Sequence, residues 1–390
     1  MSEDNEPGTA SSGGHVRSLD GLRGLAAVIV LIRHTTNAVT MPLEQRRMLI
    51  EGPFSLLFNA PGAVQLFFVL SGYVLASSLN RNRNWIDWPQ FYVKRIFRIY
   101  PPFIAAVCFA WFLGDLDDPI ALGAIDGLTP WLARATHVSV TSSQLLKSLS
   151  FPGPAHGLLG VGWTLTIEMV FSLLLPLMFL FVRRVHWSAL LALSLAILLY
   201  GSGTFLYSFH FCLGIIAFEE RVRLGILVSR FPTALWTVVL GAGLFLFCAP
   251  ALLGWTGQHL GILVVGYAPL NLLLVGSGCF FVLVAALFVP LVSRVLASRV
   301  AAYLGQISFS IYLLHGPILI FLGPLVVSAP SHWTNGIQLL ALVAVSTLTL
   351  SALSYRFIER PAIWVGNEIC ARLARLVGTR SVRSELIDPS

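Results

Sequence analysis

A few titratable side chains interrupt the long apolar stretches of this sequence: Arg33, His34, Glu168, His210 and His315, with Asp20 and Arg23 at the edge of the first stretch. If those stretches cross a bilayer, such groups are costly there, and the ones retained face a cavity or one another. Arg23 and His34 are eleven residues apart, close to three helical turns, so on a helix they share a face about 16 Å apart along the axis. With Arg23 at a membrane boundary, His34 falls near the middle of a hydrocarbon layer about 30 Å thick. A bound molecule with an anionic end at the surface and a reactive end at mid-membrane fits that spacing. The plain alternative is that Arg23 snorkels as an anchor while His34 satisfies a neighbouring helix.

Glu168 is the one carboxylate well inside an apolar stretch, in GWTLTIEMVFSLLLP. On a helix Thr164 shares its face at i−4, and Trp163 does not. Burial disfavours a charged carboxylate unless a cation compensates, and Arg33 or His34 is the expected partner. Glu168 is then either a catalytic or substrate-orienting acid, or half of a helix-packing ion pair. In SFSIYLLHGP, residues Ser308, Tyr312 and His315 recur at i, i+4 and i+7 and line one face of an otherwise apolar helix. Interhelical hydrogen bonding accounts for such a stripe as readily as chemistry does. His210 has no companion stripe and reads as structural.

The elements that must position these groups follow from composition. Of 390 residues, 56% are hydrophobic and only 11% charged, and the mean hydropathy is +0.80, whereas about a quarter of the residues in a soluble domain are charged. Lipid is therefore the solvent for most of the chain, and the fold class expected is an all-α polytopic membrane protein. Apolar runs near 20–40, 61–80, 98–114, 158–182, 187–201, 203–219, 232–250, 266–289, 304–327 and 336–357 give about ten transmembrane helices. An even number puts both termini on one side. Twenty of the 25 basic residues then fall on that side, Arg46, Arg47, Arg134 and Lys147 fall on the other, and Arg33 lies inside the first span. This asymmetry makes the shared side cytoplasmic. The net charge of +7 is accordingly a signal of topology and no sign of nucleic-acid binding.

The expected organisation is a disordered cytoplasmic tail over 1–18, a membrane domain over 19–361 and a cytoplasmic C-terminal tail over 362–390. The tail has no apolar h-region, so it does not read as a signal peptide. Segment 81–100, RNRNWIDWPQFYVKRIFRIY, mixes Arg, Trp and Tyr. It reads as a helix lying at the headgroup boundary, or as a site for an anionic cytoplasmic ligand. Segment 115–157 is long, holds four Asp residues and is expected outside. Four of the five cysteines, Cys108, Cys212, Cys248 and Cys279, lie in apolar stretches without metal-ligand spacing and read as core filling. No internal repeat of the transporter kind is visible.

Six motifs in order resemble the acyltransferase-3 superfamily of membrane-bound O-acyltransferases, from about Leu19 to Pro361. LDGLRGLAAVIVLIRH is similar to the family's Arg, ten residues, then His, here Arg23 and His34. FFVLSGYVL resembles the second-helix motif, and KRIFRIYP supplies an Arg-x-x-Arg pair as Arg95 and Arg98. WTLTIE resembles the block that ends in an acid, with Trp163 and Glu168, and SFSIYLLHGP and FIERP resemble the two late motifs. The chain departs from many relatives at Thr164 (Ser), Met169 (an acid) and Ser172 (Tyr). It departs again at Phe309, Leu314 and Gly316, where aromatic residues are usual. These departures bear on the acceptor more than on the reaction. Some relatives carry a fused extracytoplasmic hydrolase-like domain, and the expectation here is that none follows FIERP.

The resemblance implies catalytic roles for His34 and Glu168 and donor binding by Arg23, Arg95 and Arg98. It implies substrate binding by Trp163, Ser308, Tyr312 and His315, with no metal. It implies no tightly bound cofactor, with acyl-CoA as co-substrate, a hydroxyl-bearing glycan, lipid-linked sugar or small metabolite as acceptor, and a bacterial inner membrane as the location. The arginine fork suits the donor's phosphates. His34 would take the hydroxyl proton with Glu168 orienting it, or would itself carry the acyl group. The rival from another class is a transporter using the same His, Glu and Arg residues as a proton or anion relay.

Overall fold

The structure, a computed structural model, describes residues 16–81, 88–116, 129–136, 141–150, 158–259, 268–327 and 333–385. Among the described residues all regular structure is helical. The main helices are α1 (Arg17–Ala38), α2 (Leu43–Ile50), α3 (Ala60–Arg81), α4 (Trp88–Leu116), α5 (Gly162–Arg184), α6 (Trp187–Tyr200), α7 (Ser208–Glu219), α8 (Thr233–His259), α9 (Ala268–Phe288), α10 (Arg299–Gln306), α11 (Ser308–Val327), α12 (Trp333–Ser354) and α13 (Arg360–Glu385). Residues 1–15 of the expected tail, 82–87, much of 115–157 and the last five residues lie outside the described residues.

Seven helical segments among the described residues are long and apolar enough to cross a membrane: α3, α4, α5, α8, α9, α11 and the continuous run of α12 into α13. The chain is a multi-pass membrane protein. The other three expected spans differ for physical reasons. α1 has 22 residues, enough for a crossing, but carries Arg17, Asp20, Arg23 and Arg33. α6 and α7 have 14 and 12 residues, fewer than the roughly twenty a bilayer core requires. α7 is buried at every position from Ser208 to Phe218, as expected for a helix enclosed by protein on all sides.

α7 sits against α3, α6 and α9, and its Phe211 stacks on Phe171 of α5 at 4.4 Å between ring centroids. Glycine permits the tightest of these approaches. A Cβ on Gly214 would collide with the Val69 carbonyl oxygen, and one on Gly72 with that of Phe211. Lipid offers no hydrophobic drive to bring helices together, so close backbone contact between small residues supplies the dispersion that does. The same device joins α1 to α10, where a Cβ on Gly305 would meet the Asp20 carbonyl. That contact fixes α1, which bears both Arg23 and His34.

One expectation fails at α4. Among the described residues of segment 81–100, those from Trp88 onward form no separate surface helix: they are continuous with the span, which starts ten residues before the expected 98. The reason lies in its charges. Arg95 is buried and paired inside the protein, so the helix can carry it inward without exposing it to lipid.

Candidate active site

Helix α5 presents a polar face at four-residue spacing, Thr164, Glu168 and Ser172, and each of the three finds a partner on another helix. The Arg95 guanidinium donates from Nη2 to Glu168 Oε1 at 2.7 Å and to Ser172 Oγ at 2.8 Å, and from Nε to Ser172 Oγ at 3.2 Å. Ser172 Oγ donates in turn to the Glu168 backbone carbonyl at 2.6 Å. The cation beside Glu168 is therefore Arg95, and neither Arg33 nor His34, the partners expected from sequence. Ser172, one of the departures from the family pattern, completes this clamp. Thr164 Oγ1 lies 2.7 Å from the Tyr312 hydroxyl of α11.

Arg95 and Arg98, three residues apart on α4, point to different tasks. Arg95 is held by Glu168 and Ser172 through Nη2 and Nε. Arg98 instead lines a cavity of about 60 Å³ with Arg23, Thr164, Glu168, Ser308 and Tyr312, walled on its apolar side by Val64, Phe67 and Phe68. A second cavity, of about 200 Å³, shares Arg23 and Arg98 and adds Asp20, Ser77, Gln306, Tyr355 and Glu359. The two arginines thus stand where the two spaces meet.

Beyond Tyr312 the line of polar groups continues. Ring centroids are 5.8 Å apart for Tyr312 and His315, 5.1 Å for His315 and His34, and 5.7 Å for His34 and Trp131. The stripe Ser308, Tyr312 and His315 shares one face, as its spacing predicts, and that face meets α1 and α5. His34, expected near Glu168, instead meets His315. Trp163 turns away from this line. It is 38% exposed and its ring lies near that of Tyr207, so it lines neither cavity. His210 is fully buried with Nε2 2.7 Å from Gln65 Oε1, the structural role its isolation suggests.

Two residues of this region escape sequence reasoning. Trp131, in the short helix Pro130–Thr136, has no periodic or motif signal to place it over His34. Glu359 is 2% exposed and accepts a hydrogen bond from Ser310 Oγ at 3.2 Å. Its signal is the FIERP motif, but it falls two residues past the expected end of the last span. A π-helical turn at Tyr355–Glu359 brings it inward, and such turns recur at functional sites.

This arrangement suits a reaction in which a long molecule is held at an anionic end and attacked at the other. The family pattern of the Acyltransferase domain matches residues 16–356, a range that includes every side chain of the line from Arg23 to His34 and His315. The chain belongs to this family and is an O-acyltransferase. Nodulation protein 10 of Rhizobium leguminosarum bv. viciae is 28% identical, over 94% of this chain and 98% of its own. O-acetyltransferase OatA of Staphylococcus aureus is 26% identical over 93% of this chain, which spans only 60% of OatA. O-acetyltransferase PaAT-1 of Phomopsis amygdali is 23% identical over 92% of this chain and 85% of its own. No solved structure matches.

Proposed function

We propose that this acyltransferase moves a short acyl group from acyl-CoA, presented at the cytoplasmic face, to a hydroxyl of a sugar, glycoconjugate or small-molecule acceptor. The observation that carries the reading is the unbroken line from Arg23 and Arg98, past Glu168 and Tyr312, to His315 and His34. In this reading Arg23 and Arg98 hold the anionic end of the donor while its acyl-bearing arm runs along the Tyr312 wall to His34. The hydroxyl proton passes to His34, the acyl carbon bonds to oxygen as its bond to sulfur breaks, and the proton ends on the thiolate. Arg95 holds Glu168 and does not touch the donor. The acetyltransferase names of two relatives support a short acyl group.

The test is made at Arg98. With purified protein, acetyl-CoA and a hydroxyl acceptor, Arg98→Ala is expected to raise the donor KM with a smaller change in kcat, because a contact remote from the reacting carbon is similar in ground and transition states. Arg98→Lys restores only part, since it keeps the charge and loses the fork. An unchanged donor KM in Arg98→Ala removes the phosphates from this site, and wild-type protein that leaves acyl-CoA unused removes the donor itself.

We further propose that α1, the short α6 and α7, the last lengthened by the 3-10 turn Gly203–Tyr207, also cross, giving ten crossings with both termini in the cytoplasm of a bacterial inner membrane, as the distribution of basic residues supports. In a background lacking the native cysteines, Ser142→Cys is expected to react with an impermeant thiol reagent in intact cells, and Arg230→Cys only after lysis. The reverse pattern overturns both the orientation and the side of donor entry.

A further inference from the structure

His315 is 1% exposed and its ring is fixed by its own helix. Nδ1 lies 3.1 Å from the Ile311 carbonyl oxygen, one turn earlier. A carbonyl can only accept, so Nδ1 carries the proton and Nε2 of the neutral ring presents its lone pair. That Nε2 is buried and has no hydrogen-bond partner among the described residues. A buried acceptor left unmatched carries its desolvation penalty uncompensated, so such a group calls for a partner or a chemical role. The group next to it is His34, edge to face at 5.1 Å and 79°, close enough for a turn of the His34 ring to bring an N–H into hydrogen-bond reach. Among the described residues no carboxylate is hydrogen-bonded to either ring, and Glu168, on the same site, pairs its Oε1 with Arg95.

We infer that His315 is the positioning residue of His34: its Nε2 accepts the His34 N–H, so that the other His34 nitrogen is held as a lone pair toward the acceptor hydroxyl. A neutral imidazole thus takes the orienting place that a carboxylate fills in a serine-hydrolase triad. The inference rests on the acyl-transfer reading of this site. When His34 takes the hydroxyl proton it becomes an imidazolium that keeps its hydrogen bond to His315, the C–O bond forms and the C–S bond breaks. His34 then returns the proton to the departing thiolate, and His315 neither gains nor loses a proton in the cycle. Trp131, against the other side of His34, limits the swing of the ring.

Two variants and two readouts test this. His315→Phe keeps a flat ring in the same space and removes the acceptor. It is expected to lower kcat by about 10- to 100-fold, the order of loss when the partner that orients a metal-bound imidazole is removed, with the donor KM unchanged. His315→Gln supplies an amide oxygen as acceptor and is expected to recover most of the loss. The second readout needs no donor: the rate at which diethyl pyrocarbonate modifies His34, followed by mass spectrometry of its peptide, should fall in His315→Phe and recover in His315→Gln. Wild-type kcat and wild-type His34 modification in His315→Phe overturn the inference. So does a Gln variant as inactive as Phe, which would make His315 a proton acceptor in its own right. So does a raised donor KM at constant kcat, which would make it a binding residue. If the wild-type protein ignores acyl-CoA, the donor reading falls separately, and the modification rates still decide the role of His315.

Discussion

His34→Ala is expected to lower kcat by about 10²- to 10⁴-fold, the range for losing a positioned general base, while the folded protein accumulates normally. Among the described residues His34 forms ring contacts with His315 and Trp131 and no hydrogen bond, so its removal breaks no network that the helices depend on. The donor KM should hold, because Arg23 lies about three turns away along α1. Turnover measured on equal amounts of folded protein checks the first claim, and a thermal unfolding scan in detergent checks the second. Wild-type turnover in the variant would end the catalytic assignment. A loss beyond the stated range, together with an acylated His34 peptide trapped from the wild-type enzyme, would instead favour the covalent route.

Which residues share a face was legible in the sequence, and which faces meet was not. The 3.6-residue period is enough to align Arg23 with His34, Thr164 with Glu168, and Ser308 with Tyr312 and His315, and each alignment recurs in the fold. Periodicity carries no information about partners on other helices. The contact between Arg95 and Glu168 joins positions 73 apart, and that between His34 and His315 joins α1 to α11. Arg95 falls outside the expected span because the apolar run 98–114 begins at Arg98, the last arginine of KRIFR, as though a charge must mark the edge of a span. An arginine paired inside the protein can lie well within one. Glu359 lies beyond the reach of periodicity for a different reason. A π turn holds more residues per turn than the α-helix, so a wheel drawn at 3.6 residues per turn loses its register across Tyr355–Glu359. The four acids mark 115–157 as a polar segment, whereas among its described residues it is Trp131 that lies against His34.

The Arg95 and Glu168 pair gives the other large effect, and it decides between the two readings that the sequence left open for Glu168. The Arg95 side chain is 9% exposed and that of Glu168 22%, the latter on the cavity side. Removing one partner of a buried pair costs about 3–5 kcal/mol because the other charge is stranded, and the partial exposure of Glu168 points to about the lower end of that range. Arg95→Met is therefore expected to destabilise the protein sharply, seen as a lower unfolding temperature and lower yield. The double variant Arg95→Met, Glu168→Gln leaves no stranded charge and should recover much of the stability, since replacing both members of a buried pair is often close to neutral. Activity then separates the readings. If the pair only packs α4 against α5, the recovered double variant turns over near the wild-type rate. If Glu168 faces the cavity in order to act on the acyl donor or its acceptor, the double variant folds and stays slow, and Glu168→Gln alone is as slow per folded molecule, although stranding Arg95 lowers its unfolding temperature. The position of Glu168 on the cavity wall with Arg23, Arg98 and Tyr312 makes the second outcome the expected one. A double-mutant cycle on unfolding temperature, run beside kcat for the same four proteins, measures both terms at once.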